Sequence, residues 1–248
     1  MPGRGGPAIA ADASGFPRGA LFDLDGTLLD SAPDMLATVN RMRGDRGLPP
    51  MPLADLRPRV SRGARAMAAA AFPDIAPADI PDLVPEFLDV YRQELGRHST
   101  PFDGIEAILA ALEAAGCRWG IVTNKPEYLA REILPQLGWA SRCAVLVGGD
   151  TLAERKPHPL PLLHAADKIG LTPAECVYVG DDERDIIAAR AAGMASVVAL
   201  WGYRLREDDP VAWRGDVMIE SPADLLAPAR WPRLHAPGGA DAVSARPA

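Results

Sequence analysis

From Phe102 onward, short and largely apolar runs alternate with longer amphipathic stretches, the rhythm of repeated strand and helix units. Residues 117–123, 143–147, 176–180 and 196–200 read as buried parallel strands, each followed by glycine or polar residues. The periodicity predicts helices over 105–115, 127–137, 159–169 and 183–192, with Gly116 and Gly193 closing the first and last. A further apolar run, 20–22, leads into Asp23 and supplies the first strand of the same sheet.

Between Asp30 and His98 the strand signal vanishes, leaving helix-like patterns broken by Pro49-Pro50, Pro73, Pro77 and Pro81. The expected fold is therefore α/β, a Rossmann-like parallel sheet with helices on both faces and an inserted α-helical cap. The core spans 19–30 and 100–226, and the cap spans 31–99. Residues 1–18 are expected to be a flexible tail, and 227–248, rich in Pro, Ala and Gly without periodicity, a disordered one. The cap joins the core near Asp30-Ser31 and near Ser99-Thr100-Pro101, two connections that would let it work as a hinged lid.

Composition narrows the classes. A chain of 248 residues with 48% hydrophobic and 24% charged residues fits one domain plus an insertion. A net charge of -7 and no dense Lys/Arg run argue against a nucleic-acid partner. Cys117, Cys143 and Cys176 are far apart with no CxxC pair, as in reduced, buried thiols of a cytoplasmic protein. The first eighteen residues lack a signal-peptide stretch. The longest charge-free run, 191–203, falls short of the roughly 20 residues a membrane span needs, so no membrane association is expected.

In open α/β sheets, ligands bind beyond the carboxyl ends of the strands. Those ends carry Asp23 and Asp25, then Thr123-Asn124, then Gly180-Asp181-Asp182, with Lys156 in the loop before the helix at 159. Residues i and i+2 of a strand face the same way, which would bring both Asp23 and Asp25 to the site. Carboxylates this close raise one another's pKa unless a cation shares the site, so the pair asks for a metal ion, a lysine or both. The set suits phosphoryl transfer, which needs carboxylates for attack and proton transfer, hydroxyl, amide and ammonium groups for the phosphoryl oxygens, and hard oxygen ligands for Mg2+. Taken singly, Thr123-Asn124 also fits a helix cap, Lys156 a solvated surface lysine, and Asp182 an acid favoured by a helix N-terminus.

Four motifs occur in order: Asp23-Leu24-Asp25-Gly26-Thr27, Thr123-Asn124, Lys156, and Gly180-Asp181-Asp182-Glu183-Arg184-Asp185. On these, over about residues 19 to 225, the chain resembles the haloacid dehalogenase superfamily, in its phosphatase branch with an α-helical cap. The resemblance implies that Asp23 is a nucleophile forming an aspartyl-phosphate and that Asp25 is the acid/base. It implies Mg2+ held by the Asp23 carboxylate, the Asp25 main-chain carbonyl and the Asp181 carboxylate. Thr123, Asn124 and Lys156 would hold the phosphoryl group. Thr27 and Asp185 would support these groups from behind, Asp185 by orienting Lys156 or a metal-bound water.

Within the superfamily, residues 23–33, 122–126 and 156–159 resemble the phosphoglycolate phosphatase group. Residues 46–50, 63–67, 201–203, 208–210 and Trp213 look more like the N-acetylmuramic acid 6-phosphate phosphatases. The expected substrate is accordingly 2-phosphoglycolate or N-acetylmuramic acid 6-phosphate. Both carry a carboxylate, which an arginine of the cap would bind, and Arg62 and Arg65 are the candidates. A cap lysine, as phosphonoacetaldehyde hydrolases use, is excluded because Lys125, Lys156 and Lys168 all lie in the core segments. A β-phosphoglucomutase-like mutase is the alternative. A non-catalytic binding module would predict loss of Asp23, Asp25 or Lys156, and all three are present. A monomer or homodimer is expected.

Overall fold

Strand β1 (Gly19–Phe22) carries no polar side chain and is buried along its length, and it takes the centre of a parallel sheet. The computed structural model describes residues 15–234. On one side of β1 lie β4 (Arg118–Val122) and then β5 (Leu146–Val147). On the other lie β6 (Cys176–Gly180), β7 (Ala195–Ala199) and β8 (Val217–Ile219), giving the order β5-β4-β1-β6-β7-β8. The chain builds outward from β1 through β4 to β5, then crosses to β6 and continues outward. The carboxyl end of β1 is thus the topological switch point, where a ligand crevice opens.

Alternate strand residues feed two cores, as a doubly covered sheet requires. Ala20, Phe22, Val177 and Val179 join the apolar faces of α5 (Ile105–Ala114) and α6 (Glu127–Ile133). Leu21, Val122 and Tyr178 join α7 (Leu160–Lys168) and α8 (Glu183–Ala192). Helix α6 ends earlier than its periodicity predicts, because Pro135 lacks the N–H that would continue it. Strand β8 was not expected; it is three residues between Asp216 and Glu220, too short to leave a pattern.

Residues 31–99 hold α1 (Ala32–Gly44), α2 (Leu53–Leu56), α3 (Ala64–Ala71), α4 (Leu83–Glu94) and a 3-10 turn over Arg57–Arg62. Their apolar faces, including Val39, Met42, Met67, Phe87 and Tyr91, are continuous with the first core. Both connections are braced. Strands β2 (Leu29–Asp30) and β3 (Thr100–Pro101) pair antiparallel across them. Asp34 of α1, fully buried, accepts from Gly96 N (2.7 Å), His98 N (2.6 Å) and the Ser99 hydroxyl.

The tails need correction where they are described. Parts of residues 15–18 and 227–234 are packed: Pro17, Trp231 and Pro232 are buried, the Trp231 indole N–H donates to the Leu225 carbonyl (2.8 Å), and Phe16 meets that ring edge-on at 6.3 Å. Two large rings bury each other there, a gain that the surrounding Pro and Ala conceal in the sequence. Residues 1–14 and 235–248 lie outside the described residues. Among the described residues no helix is long and apolar enough to cross a membrane.

Candidate active site

Asp23 follows β1 directly, and its N–H extends the ladder to the Val179 carbonyl (2.9 Å), fixing where the side chain leaves the sheet. Asp25 is not on the strand. Residues 24–29 fold into a tight loop in which the N–H groups of Leu28 and Leu29 both bond the Leu24 carbonyl, so this loop, rather than strand alternation, carries Asp25 to the site. Gly26 makes the loop possible, with φ of +91° and a position where a Cβ would collide with the Asp181 carboxylate.

Lys156 is nearly completely buried, and its ammonium reaches Asp185 at 2.7 Å, Asp23 at 3.0 Å and the Tyr178 hydroxyl at 2.8 Å. Tyr178 in turn donates to the Val122 carbonyl (2.7 Å), anchoring the group to β4. Burial opposes the Lys156 charge, but Asp185 and Asp23 outweigh it and hold the pKa above the ordinary lysine value. Burial pushes Asp185 up to about 7 against the pull of Lys156.

Asp181, just past β6, is fully buried, and the partners of its side chain are neutral donors: Thr27 Oγ1 (3.1 Å), Ser61 Oγ (2.8 Å) and Tyr203 N (2.8 Å). Burial, reinforced by Asp23 and Asp185, drives its pKa well above the carboxylate range. Carboxylate oxygens of Asp23, Asp181 and Asp185 all lie within 4.8 Å of one another. Three buried carboxylates beside one lysine make a hard-oxygen donor set with excess negative charge, and a divalent cation fits it. The Asp25 carboxylate stands outside this cluster, paired with Lys125 at 3.1 Å, which leaves only its main-chain carbonyl for the ligand role the sequence suggests.

Thr123 and Asn124 do not cap α6, whose first N–H bonds Asp150 instead (2.7 Å). The Thr123 hydroxyl accepts from Lys125 N (3.2 Å), and the Asn124 amide donates to the Lys156 carbonyl (2.9 Å), tying the two loops together. Asp182 caps α8 by accepting from Arg184 N (2.9 Å). Burial pushes Cys143 up to about 11 and Cys176 up to about 12, so neither is a thiolate nucleophile at neutral pH.

A cavity of about 370 Å³ opens over this centre, with Asp23, Asp25, Thr123, Asn124, Lys156 and Asp185 at its floor and cap residues above. The cap comes down through its 3-10 turn. Ser61 bonds Asp181, and Arg184 donates to the Ser61 carbonyl. Arg62 lines the cavity but is not free, since it pairs with Asp208 and lies 3.8 Å from Asp182. Arg65 and Arg155 also line it, exposed and with no ion-pair partner among the described residues. Ser61, Arg155, Lys125 and Tyr91 escaped the sequence reading. Lys125, inside Thr-Asn-Lys-Pro, and Arg155, immediately before Lys156, stood beside recognised motifs.

A carboxylate-rich centre at the switch point of a doubly wound sheet, under a helical insertion, defines a class of hydrolase. Residues 20–199 match the family described as haloacid dehalogenase-like hydrolase, and the chain belongs to that family. It is 67% identical over 218 residues to a phosphoglycolate phosphatase of Xanthomonas campestris pv. campestris, covering 88% of this chain and 99% of that one. It is 45% identical over 212 residues to an N-acetylmuramic acid 6-phosphate phosphatase of Pseudomonas aeruginosa, covering 84% and 93%. Among solved structures, one described as a predicted phosphoglycolate phosphatase from Haemophilus somnus superposes with a TM-score of 0.74 at 30% identity, covering 86% of this chain and 97% of that one.

Proposed function

We propose that the protein is a Mg2+-dependent phosphomonoesterase that works through an aspartyl-phosphate on Asp23. The observation that carries this reading is the contact of Lys156 with both Asp23 and Asp185, beside buried Asp181. Asp23 attacks phosphorus, and the ester P–O bond breaks as Asp25 gives its proton to the departing oxygen. Asp25 then takes a proton from the water that attacks the phosphoryl group, which releases phosphate and regenerates the Asp23 carboxylate. The Lys156 ammonium and the Thr123 hydroxyl hold the phosphoryl oxygens, and Asn124 keeps the Lys156 loop in place. The Asp23 and Asp181 carboxylates with the Asp25 main-chain carbonyl would hold Mg2+, which when bound supplies positive charge against the phosphoryl oxygens. Thr27 steadies Asp181, and Asp185 steadies Lys156.

The names of the relatives at 67% identity support 2-phosphoglycolate as substrate. The cavity favours a second reading, N-acetylmuramic acid 6-phosphate, because about 370 Å³ walled by Met35, Val60, Met67, Phe87 and Leu129 suits a body larger than glycolate. Arg65 and Arg155 suit the carboxylate of either ester. The test is phosphate release from the two esters side by side with Mg2+, with Asp23→Asn as the blank. Release from at least one ester that the blank lacks is the expected result, and the faster of the two names the substrate. Release from neither, or equal release by the blank, overturns the reading.

A further inference from the structure

Six basic and four acidic side chains line the cavity, so its walls carry a formal surplus of positive charge. Most of the basic groups are already engaged. Lys156 holds Asp185 and Asp23, and Lys125 holds Asp25 while donating to the Tyr91 hydroxyl. Arg62 holds Asp208, and Arg184 holds Asp182 and the Ser61 carbonyl. The surplus therefore resides on Arg65 and Arg155, whose guanidinium groups have no ion-pair partner among the described residues.

These two arginines differ in what they are fastened to. Arg65 lies in the first turn of α3 and belongs to the cap. Arg155 belongs to the core and adjoins Lys156, with its Cα about 3.8 Å from that of the lysine, the spacing of a trans peptide. The loop is pinned on both sides of that bond. The Arg155 carbonyl accepts from His158 N (2.9 Å), and the Lys156 carbonyl accepts from the Asn124 amide (2.9 Å). The Arg155 side chain thus springs from a point at a fixed offset from the ammonium that meets the phosphoryl group. We infer that Arg155 is the specificity-determining residue of this site: it binds the carboxylate of the ester while Lys156 holds the phosphoryl end, so the enzyme selects phosphomonoesters that also carry a carboxylate. This inference rests on the phosphatase reading and deepens it. A guanidinium suits the task because its planar fork meets both carboxylate oxygens at once, which an ammonium does not.

The test uses the full chain with saturating Mg2+ and the ester that the wild type turns over faster, 2-phosphoglycolate or N-acetylmuramic acid 6-phosphate. Its kcat/KM is compared with that of a counterpart lacking the carboxylate, ethyl phosphate for the first and N-acetylglucosamine 6-phosphate for the second. The wild type should favour the carboxylate ester at least about tenfold, the lower end of what a hydrogen bond to a charged group contributes. Arg155→Met should cut that preference about tenfold, chiefly by raising KM for the carboxylate ester. Arg155→Lys, which keeps the charge and loses the fork, should cut it about threefold. Arg65→Met should cut it less than Arg155→Met. Thermal unfolding establishes that each variant is folded, and if Arg155→Met is not, Arg155→Lys carries the test. An unchanged preference in the folded Arg155 variants, equal loss on both esters, or a larger effect from Arg65→Met overturns the inference. So does a wild type that turns over both members of the pair equally well. In each of these cases, wild-type release that Asp23→Asn lacks still supports the phosphatase reading. Release from no ester by the wild type overturns that reading and this inference with it.

Discussion

Lys156→Met keeps the length of the side chain and removes its charge, which makes it an informative perturbation of the centre. The Lys156 and Asp185 side chains are each 2% exposed and Asp23 is 11% exposed, so water can stand in for the lost ammonium only at Asp23. Breaking a buried ion pair from one side costs about 3–5 kcal/mol, because the partner charge stays buried and uncompensated. For a chain of this size each kcal/mol moves Tm by about 2–4 °C, so in a chelating buffer the variant should melt roughly 6–20 °C below the wild type. Asp185→Asn added to Lys156→Met should recover part of the loss, since it removes one of the stranded carboxylates. Turnover should fall at least about 10²-fold, as for removal of one preorganised contact to the phosphoryl oxygens. Lys168→Met, at an exposed position of α7, serves as the control and should leave both quantities unchanged. Thermal unfolding by circular dichroism and steady-state phosphate release read the two effects. A Tm within about 2 °C of the wild type would mean that Lys156 does not balance the buried carboxylates, and the electrostatic account would fail.

Two further outcomes follow from the packing and the charges. Truncation after Leu226 removes Trp231 from its contacts with Phe16 and Leu225, a loss of about 3–5 kcal/mol on the scale of a buried Trp→Ala change, so Tm should drop by roughly 6–20 °C; an unchanged Tm would restore the reading of 227–234 as an idle tail. In the metal-free protein Asp185, pushed up mainly by burial to about 7, binds more proton folded than unfolded, so its contribution to stability falls as pH rises from the ordinary carboxylate range towards 7. The stability of the wild type relative to Asp185→Asn should therefore decline over that window in a chelator and decline less with saturating Mg2+; a difference that does not vary with pH would contradict the shift.

Much of this was legible locally. Strands β6 and β7 and helix α8 declared themselves because an unbroken apolar run or a helical period lies within a few residues of sequence, and Asp182 sits where a helix N-terminus wants an acid. What stayed hidden depends on partners far along the chain. Arg62 read as a free cap cation, yet Asp208 meets it from 146 residues away and Asp182 from the start of α8. Ser61 carries no sequence signal, and it matters only because the cap turn lands on Asp181, 120 residues on. Tyr203 was noticed for a family likeness, but its work is physical. Its N–H holds Asp181, while its hydroxyl donates to Asp30 (2.7 Å) and accepts from Ala32 N (3.0 Å), so one residue joins the carboxylate cluster to the connection through which the cap departs. Asp25 was assigned to the site for the wrong local reason, since strand alternation ends at Asp23 and the 24–29 loop does the rest.

The central claim is that Asp23 carries the phosphoryl group, and the most direct measurement is to catch it there. Turnover of the preferred ester with Mg2+ is quenched in acid within the first cycles, and the peptides are examined by mass spectrometry. The account predicts a phosphoryl group on the peptide containing Asp23 that forms with substrate, decays as substrate is exhausted, and is absent from Asp23→Asn. Steady turnover with no phosphorylated peptide, or phosphorylation at another residue, would contradict it.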